Sequence, residues 1–224
     1  MNQVEPECSG TVPPISFLDE RYSQAQRNTL IERVTNRLLE FPPCSLKGIN
    51  DVIFTADRSI FKRNEAGLYK VAQYYYNDEP TTATRTIYLN TDPKWIDNIT
   101  SDLSKPIYLD YTLNHEGCHH LGRTACKTDN FFAISWNTDG TLKKNAVSQD
   151  FALIFSQYPN RINDSAMADP NEDWATSCAE YRIDNGYFLS LASHNKEKPI
   201  DQKYIFFYGF FGAPTPHAWD PPIE

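Results

Sequence analysis

Ile107-Tyr108-Leu109-Asp110-Tyr111-Thr112-Leu113-Asn114-His115-Glu116-Gly117-Cys118-His119-His120-Leu121-Gly122 places three of the chain's five histidines within six residues. Ile107, Tyr108, Leu109, Tyr111 and Leu113 follow Pro106 at mixed i, i+3 and i+4 spacing, which predicts a buried helix opening just after that proline. Gly122 supplies the expected stop, with His119 and His120 in the final turn. On such a helix His115 and His119 lie one turn apart on one face, so both imidazoles can reach a single metal ion. Glu116 is their neighbour. As the second letter of H-E-x-x-H it is expected to take a proton from a water at the metal without being a ligand itself. Cys118 leaves the helix about 60° to 100° away from the two histidines and is expected to pack instead. The plainer alternative is an amphipathic helix that holds no metal.

A catalytic zinc site generally takes three protein ligands and leaves a position open, so a third ligand must come from elsewhere. The extension H-E-x-x-H-x-x-G-x-x-H is excluded, because Ala125 stands where its last histidine would be. Cys126 and Asp129 are nearby candidates. A richer source is Asp169-Pro170-Asn171-Glu172-Asp173-Trp174-Ala175-Thr176-Ser177-Cys178-Ala179-Glu180-Tyr181, which predicts a second helix with Asp169 as N-cap and Pro170 in its first position. Ala175 and Ala179 make a face that another helix can approach closely, and Glu172 shares it. The same Asp169-to-Glu172 spacing also fits a capping box, in which the glutamate serves its own helix. The residues alone leave both uses of Glu172 open.

H-E-G-C-H-H-L-G, followed after 53 residues (172 − 119) by E-D-W-A-T-S-C-A-E-Y, resembles the gluzincin-type zinc metallopeptidases similar to the catalytic domain of anthrax lethal factor. The resemblance extends over residues 20 to 212. Asp51–Thr55 and Arg85–Asn90 look like the strands before the active-site helix, and residues 201 to 212 like an aromatic terminal helix. It implies an α+β, single-domain zincin-like fold and a Zn2+ cofactor held by His115, His119 and Glu172, with Glu172 ahead of Asp173, Asp169 and Asp129. It implies an endopeptidase acting on a protein or peptide, with Glu116 as general base and then acid. Two features depart from the family. Thr176 stands where a second glutamate is common, and the oxyanion-stabilising tyrosine has no single counterpart, leaving Tyr158, Tyr181, Tyr187, His120 and His217 as candidates. The resemblance also suggests that Thr84–Asn90 is an edge strand that pairs with substrate. An interior strand is the alternative, and Leu68–Tyr76 is its expected neighbour in either case. Rival functions are a zincin scaffold used only for binding or within a toxin, and a zinc amidase acting on cell-wall peptide.

The remaining sequence sets the frame. At 224 residues, with no linker-like shift in composition, a single domain over residues 15–212 is expected, with an extended segment 1–14 before it and a proline-rich tail 213–224. Asn28–Leu39 predicts an amphipathic helix stopped by Phe41-Pro42-Pro43. Strands are expected up to Asn90 and helices from Pro106 onward, with a further strand at Phe131–Trp136 and a short helix at Asp150–Phe155. A net charge of −8 argues against nucleic acid or an anionic membrane surface as partner, and no apolar run is long enough to span a bilayer. A monomer is assumed. Met1 to Cys8 has neither the charged start nor the apolar stretch of a signal peptide. Five cysteines fit an exported chain, with Cys8 and Cys44 forming one possible bridge while Cys118, Cys126 and Cys178 allow a second, and a cytosolic chain with five reduced thiols is the alternative.

Overall fold

Val52 and Phe54 point to one side of a strand and are buried, while Asp51 and Ile53, which alternate with them, are half-exposed, the period-two signature of a sheet with one covered face. This strand belongs to the first of two compact units, Met1–Leu113 and Asn114–Glu224, into which the chain divides by its internal contacts. The computed structural model describes residues 12–42, 45–61, 72–77, 84–91, 107–124, 128–151, 166–167 and 169–214. Across them it is mixed α+β, with six helices and one four-stranded sheet.

The first unit holds β1 (Ile15–Phe17), α1 (Gln24–Leu39), β2 (Asp51–Thr55), β3 (Ala72–Asn77) and β4 (Thr84–Asn90). The strand order is β1-β2-β4-β3, parallel from β1 through β4, with β3 antiparallel to β4. Val52 pairs with Ile87 and Phe54 with Leu89, so the large apolar residues of β2 and β4 stand side by side. Leu30, Val34 and Leu38 of α1 join that cluster. The helix opens four residues before the expected Asn28. Ser23 and Gln26 form a capping box there, with the Ser23 N–H donating to Gln26 Oε1 at 2.9 Å and the Gln26 N–H donating to Ser23 Oγ at 3.3 Å.

β4 is paired on both sides and is not an edge strand, which answers the choice left by its sequence in favour of the interior position. Its burial agrees, since Thr86, Ile87, Leu89 and Asn90 are all covered. The edges fall to β1 and β3, and on β3 Tyr75 and Tyr76 are exposed. The part of Leu68–Tyr76 before Ala72 lies outside the described residues.

α2 (Ile107–Thr124) starts in the first unit, where Leu109 and Leu113 pack into the sheet cluster. Asp110 in its first turn receives Arg33 Nε at 3.1 Å and lies 3.0 Å from Arg37 Nη2, tying this end of α2 to α1. From Asn114 the helix belongs to the second unit, with α3 (Thr128–Ser135), a 3-10 turn at Ser148–Asp150, α4 (Pro170–Ile183), α5 (Asn185–His194) and α6 (Pro199–Phe211). Phe131, Trp174, Tyr181, Phe206, Phe207, Phe210 and Phe211 pack against one another edge-on, tilted and stacked in this unit.

Two expectations are corrected here, and a third lies mostly outside the described residues. The expected strand Phe131–Trp136 is helical through Ser135, and Phe131 and Ser135, four apart, are both buried. A short apolar run carries no decisive period, and here the helical spacing prevails. Gly122 does not stop α2, which continues to Thr124, so His119 and His120 sit in the body of the helix. The glycine is needed for approach instead: a Cβ there would lie 2.7 Å from Trp174 Nε1 and 2.8 Å from its Cδ1. Of the expected helix Asp150–Phe155, Asp150 closes the 3-10 turn and residues 152–155 lie outside the described residues. Among the described residues no helix is long and apolar enough to cross a membrane.

Candidate metal centre

Asp169 begins the local structure that delivers a carboxylate to α2. Its backbone is extended, and its side chain accepts the N–H groups of Asn171 at 2.8 Å and Glu172 at 3.1 Å, while Pro170 fills a position whose N–H a helix does not need. The cap is thus supplied by Asp169. The Glu172 carboxylate is directed at the histidines, with Oε2 lying 3.3 Å from His115 Nε2 and 3.7 Å from His119 Nε2. The two Nε2 atoms are 3.1 Å apart, and the imidazole planes stand at 90° to each other.

These three separations form a nearly equilateral triangle. Ligand atoms about 2.0–2.2 Å from one tetrahedral zinc are separated by roughly 3.3 Å, so the triangle has the size of one face of such a site. The donor set, two imidazoles and one carboxylate, suits zinc and leaves a fourth position for solvent. His115, His119 and Glu172 are the one group of potential metal ligands this close together among the described residues. Their side chains retain 14%, 16% and 18% exposure, which is enough for water or a substrate group to arrive. Burial alone would raise the Glu172 carboxyl, but its contacts with His115 and then His119 prevail and hold it far below the usual carboxylate range. It is therefore an anion at neutral pH.

α2 and α4 are joined beside these ligands by three different bonds. Cys118 and Cys178, both buried, form a disulfide with Cα atoms 6.0 Å apart. The Trp174 indole N–H donates to the Cys118 carbonyl at 2.9 Å, and Arg182 Nε donates to Asn114 Oδ1 at 2.8 Å. Glu116, the expected proton acceptor, is buried on the helix turn that carries His115.

Other candidates go elsewhere. Asp129 is exposed at the start of α3, Asp169 is occupied as the cap, and Asp173 turns inward to Lys203 and Trp136. Cys126, Tyr158 and His217 lie outside the described residues, as do Cys8 and Cys44. The Tyr181 hydroxyl donates to the Gly212 carbonyl at 2.6 Å, and burial pushes its ionisation upward. Tyr187 is half-buried and is likewise pushed upward by burial, and His120 is fully buried. Sequence reasoning missed the buried Lys203, although a lone lysine inside Ile200-Asp201-Gln202-Lys203-Tyr204-Ile205-Phe206-Phe207 was a signal that it needed a partner. No family model, curated protein or solved structure matches the chain.

Proposed function

We propose that this protein is a zinc-dependent endopeptidase of the gluzincin type, built on a zincin-like fold and acting on a protein or peptide. The observation that carries the proposal is the triangle of His115 Nε2, His119 Nε2 and Glu172 Oε2, whose edges are 3.1, 3.3 and 3.7 Å. The chain order of sheet, H-E-x-x-H helix, glutamate-bearing helix and aromatic last helix supports the same reading. The Cys118–Cys178 bridge supports an exported protein, since such bonds persist in oxidising compartments.

His115, His119 and Glu172 would hold the zinc, which when bound supplies Lewis acidity and makes water a competent nucleophile near neutral pH. Glu116 accepts the proton of the attacking water and returns it to the leaving amine, so one carboxylate acts as base and then acid. The ionised Glu172 lowers the net charge of the filled site without taking part in proton transfer.

The test is metal content and turnover measured on the same preparations. Wild-type protein equilibrated with zinc should retain about one ion per chain and cleave a denatured protein. Glu116→Gln should keep the zinc and lose roughly 10²- to 10⁴-fold in rate, the usual worth of general acid–base catalysis, and Glu172→Gln should lose the zinc. Near-wild-type cleavage by Glu116→Gln would remove the assigned base. Zinc retention without cleavage of any protein, but with release of peptide from cell-wall material, would redirect the activity to an amidase.

A further inference from the structure

The residue after Glu172 is an aspartate with no solvent exposure, paired with a lysine that has none either. Asp173 Oδ1 accepts from Lys203 Nζ at 2.9 Å and from Ser177 Oγ at 3.2 Å, while Oδ2 accepts from the Trp136 indole N–H at 2.8 Å and lies 2.8 Å from Lys203 Nζ. Lys203 also donates to the Asp150 carbonyl at 2.8 Å and lies 4.0 Å from the centre of the Phe151 ring. One carboxylate thereby ties together α4, α6, the residue that follows α3 and the 3-10 turn.

Stability is a poor explanation for this cluster. Taking both charges out of water costs several kcal/mol each, and replacing a buried ion pair by apolar groups of similar size is often neutral or favourable. Burial pushes Asp173 up and Lys203 down, and each is opposed by the other's charge. Directional bonds provide what apolar contacts do not, a fixed rotation of α4 about its own axis.

Rotation matters because Glu172 and Asp173 are about 100° apart around that axis. We infer that Asp173, clamped by Lys203 and Trp136, is a positioning residue that aims the Glu172 carboxylate at His115 and His119. This rests on the metal-site reading above. At a side-chain radius of about 6 Å, a rotation of about 20° would move the carboxylate by roughly 2 Å, enough to open a 3.3 Å approach. Trp174, the next residue, fixes the helix from another side through the Cys118 carbonyl and the space over Gly122. Three consecutive residues thus provide the ligand, the clamp and the docking ring.

The experiment measures zinc affinity by chelator competition alongside the melting temperature of the metal-free protein. Asp173→Ala combined with Lys203→Met removes the clamp without stranding a charge, and its zinc affinity should fall about 10- to 100-fold, the range usual for partners behind metal ligands. Asp173→Asn combined with Lys203→Met keeps an acceptor for Trp136, offers an amide N–H to Ser177 Oγ in place of the other oxygen, and should recover most of that loss. It also serves as the test if the first pair does not fold, an affinity at least threefold below wild type being expected. Val34→Ala, in the core of the first unit, sets the baseline: it should lower the melting temperature and leave zinc affinity alone. Both clamp variants binding zinc within twofold of wild type would overturn the inference while the metal site stood. Wild-type protein that retains no zinc would remove both.

Discussion

The two units bury different things. In the first, a sheet and one helix close over Leu30, Val34, Leu38, Val52, Phe54, Ile87 and Leu89, and Asp110 is its one buried charge among the described residues. In the second, Glu116, Asp150, Asp173, Glu180, Asp184, Asp201 and Lys203 are all buried. Apolar burial is favourable wherever it occurs, whereas every buried charge must be matched by a partner. A sequence departs from that economy where something other than stability is selected, and functional sites are the usual reason. The difference separates a unit held by area from one held by specific bonds. Removing single bonds should therefore act on the second unit selectively.

The largest effect is expected from Cys118→Ala combined with Cys178→Ala. The bridge spans 60 residues of chain, and closing a loop of that length constrains the unfolded state by about 4 kcal/mol. Hydrogen exchange should show the loss in amides of α4 through α6, with those of β2 and β4 retaining their protection. Equal loss in both units would show that they unfold together and break the distinction. Denaturant unfolding of the same variant gives the total.

A smaller effect with a built-in control comes from two helical glycines. Gly122→Ala gains about 1 kcal/mol of helix propensity but drives a methyl into the Trp174 ring, and overpacking of that kind costs about 1–3 kcal/mol. A net loss of about 1 kcal/mol is expected, together with weaker zinc binding, because the ring sits two residues from Glu172. Gly209→Ala in α6 meets nothing within 4 Å and should stabilise by close to the propensity gain of about 1 kcal/mol. Opposite signs in thermal melts would sharpen the contrast between packed and open helix faces. Matching signs would mean that the indole yields.

What was legible in the sequence follows the range of each interaction. His115 and His119 were readable because i to i+4 spacing is fixed by the helix itself, and Asp169 with Pro170 announced α4 for the same local reason. Glu172 was only half readable. Its distance to the histidines depends on how two remote helices cross, and D-x-x-E fits a cap equally well. Gly122 was misread because one residue type both ends helices and admits close neighbours, and only Trp174, 52 residues later (174 − 122), decides which. The interior place of β4 depends on strand order, which no single strand encodes. Lys203 finds Asp173 across 30 residues, and the sequence showed only that the lysine stood in an apolar helix.

The smallest expected effect lies in the first unit and concerns a charge at the surface. Asp19 accepts from Arg21 Nε at 2.7 Å, from the Arg21 N–H at 3.0 Å and from Thr91 Oγ1 at 2.8 Å. The hydrogen bond from the Arg21 side chain is the main cause, outweighing partial burial, and the carboxyl is lowered from 3.8 to about 2. A carboxylate lowered on folding stabilises the native state above its unfolded value and loses that contribution as pH falls through the folded one. The window is therefore pH 4 down to about 2. Asp19→Asn should be less stable than wild type at neutral pH, and the gap in urea midpoint should close across that window. Because Arg21 is largely open to water, the gap should be small, and raised salt should shrink it further. A gap that stayed constant through pH 2 would assign the loss to the Thr91 and backbone contacts and leave the ion pair with no share in it.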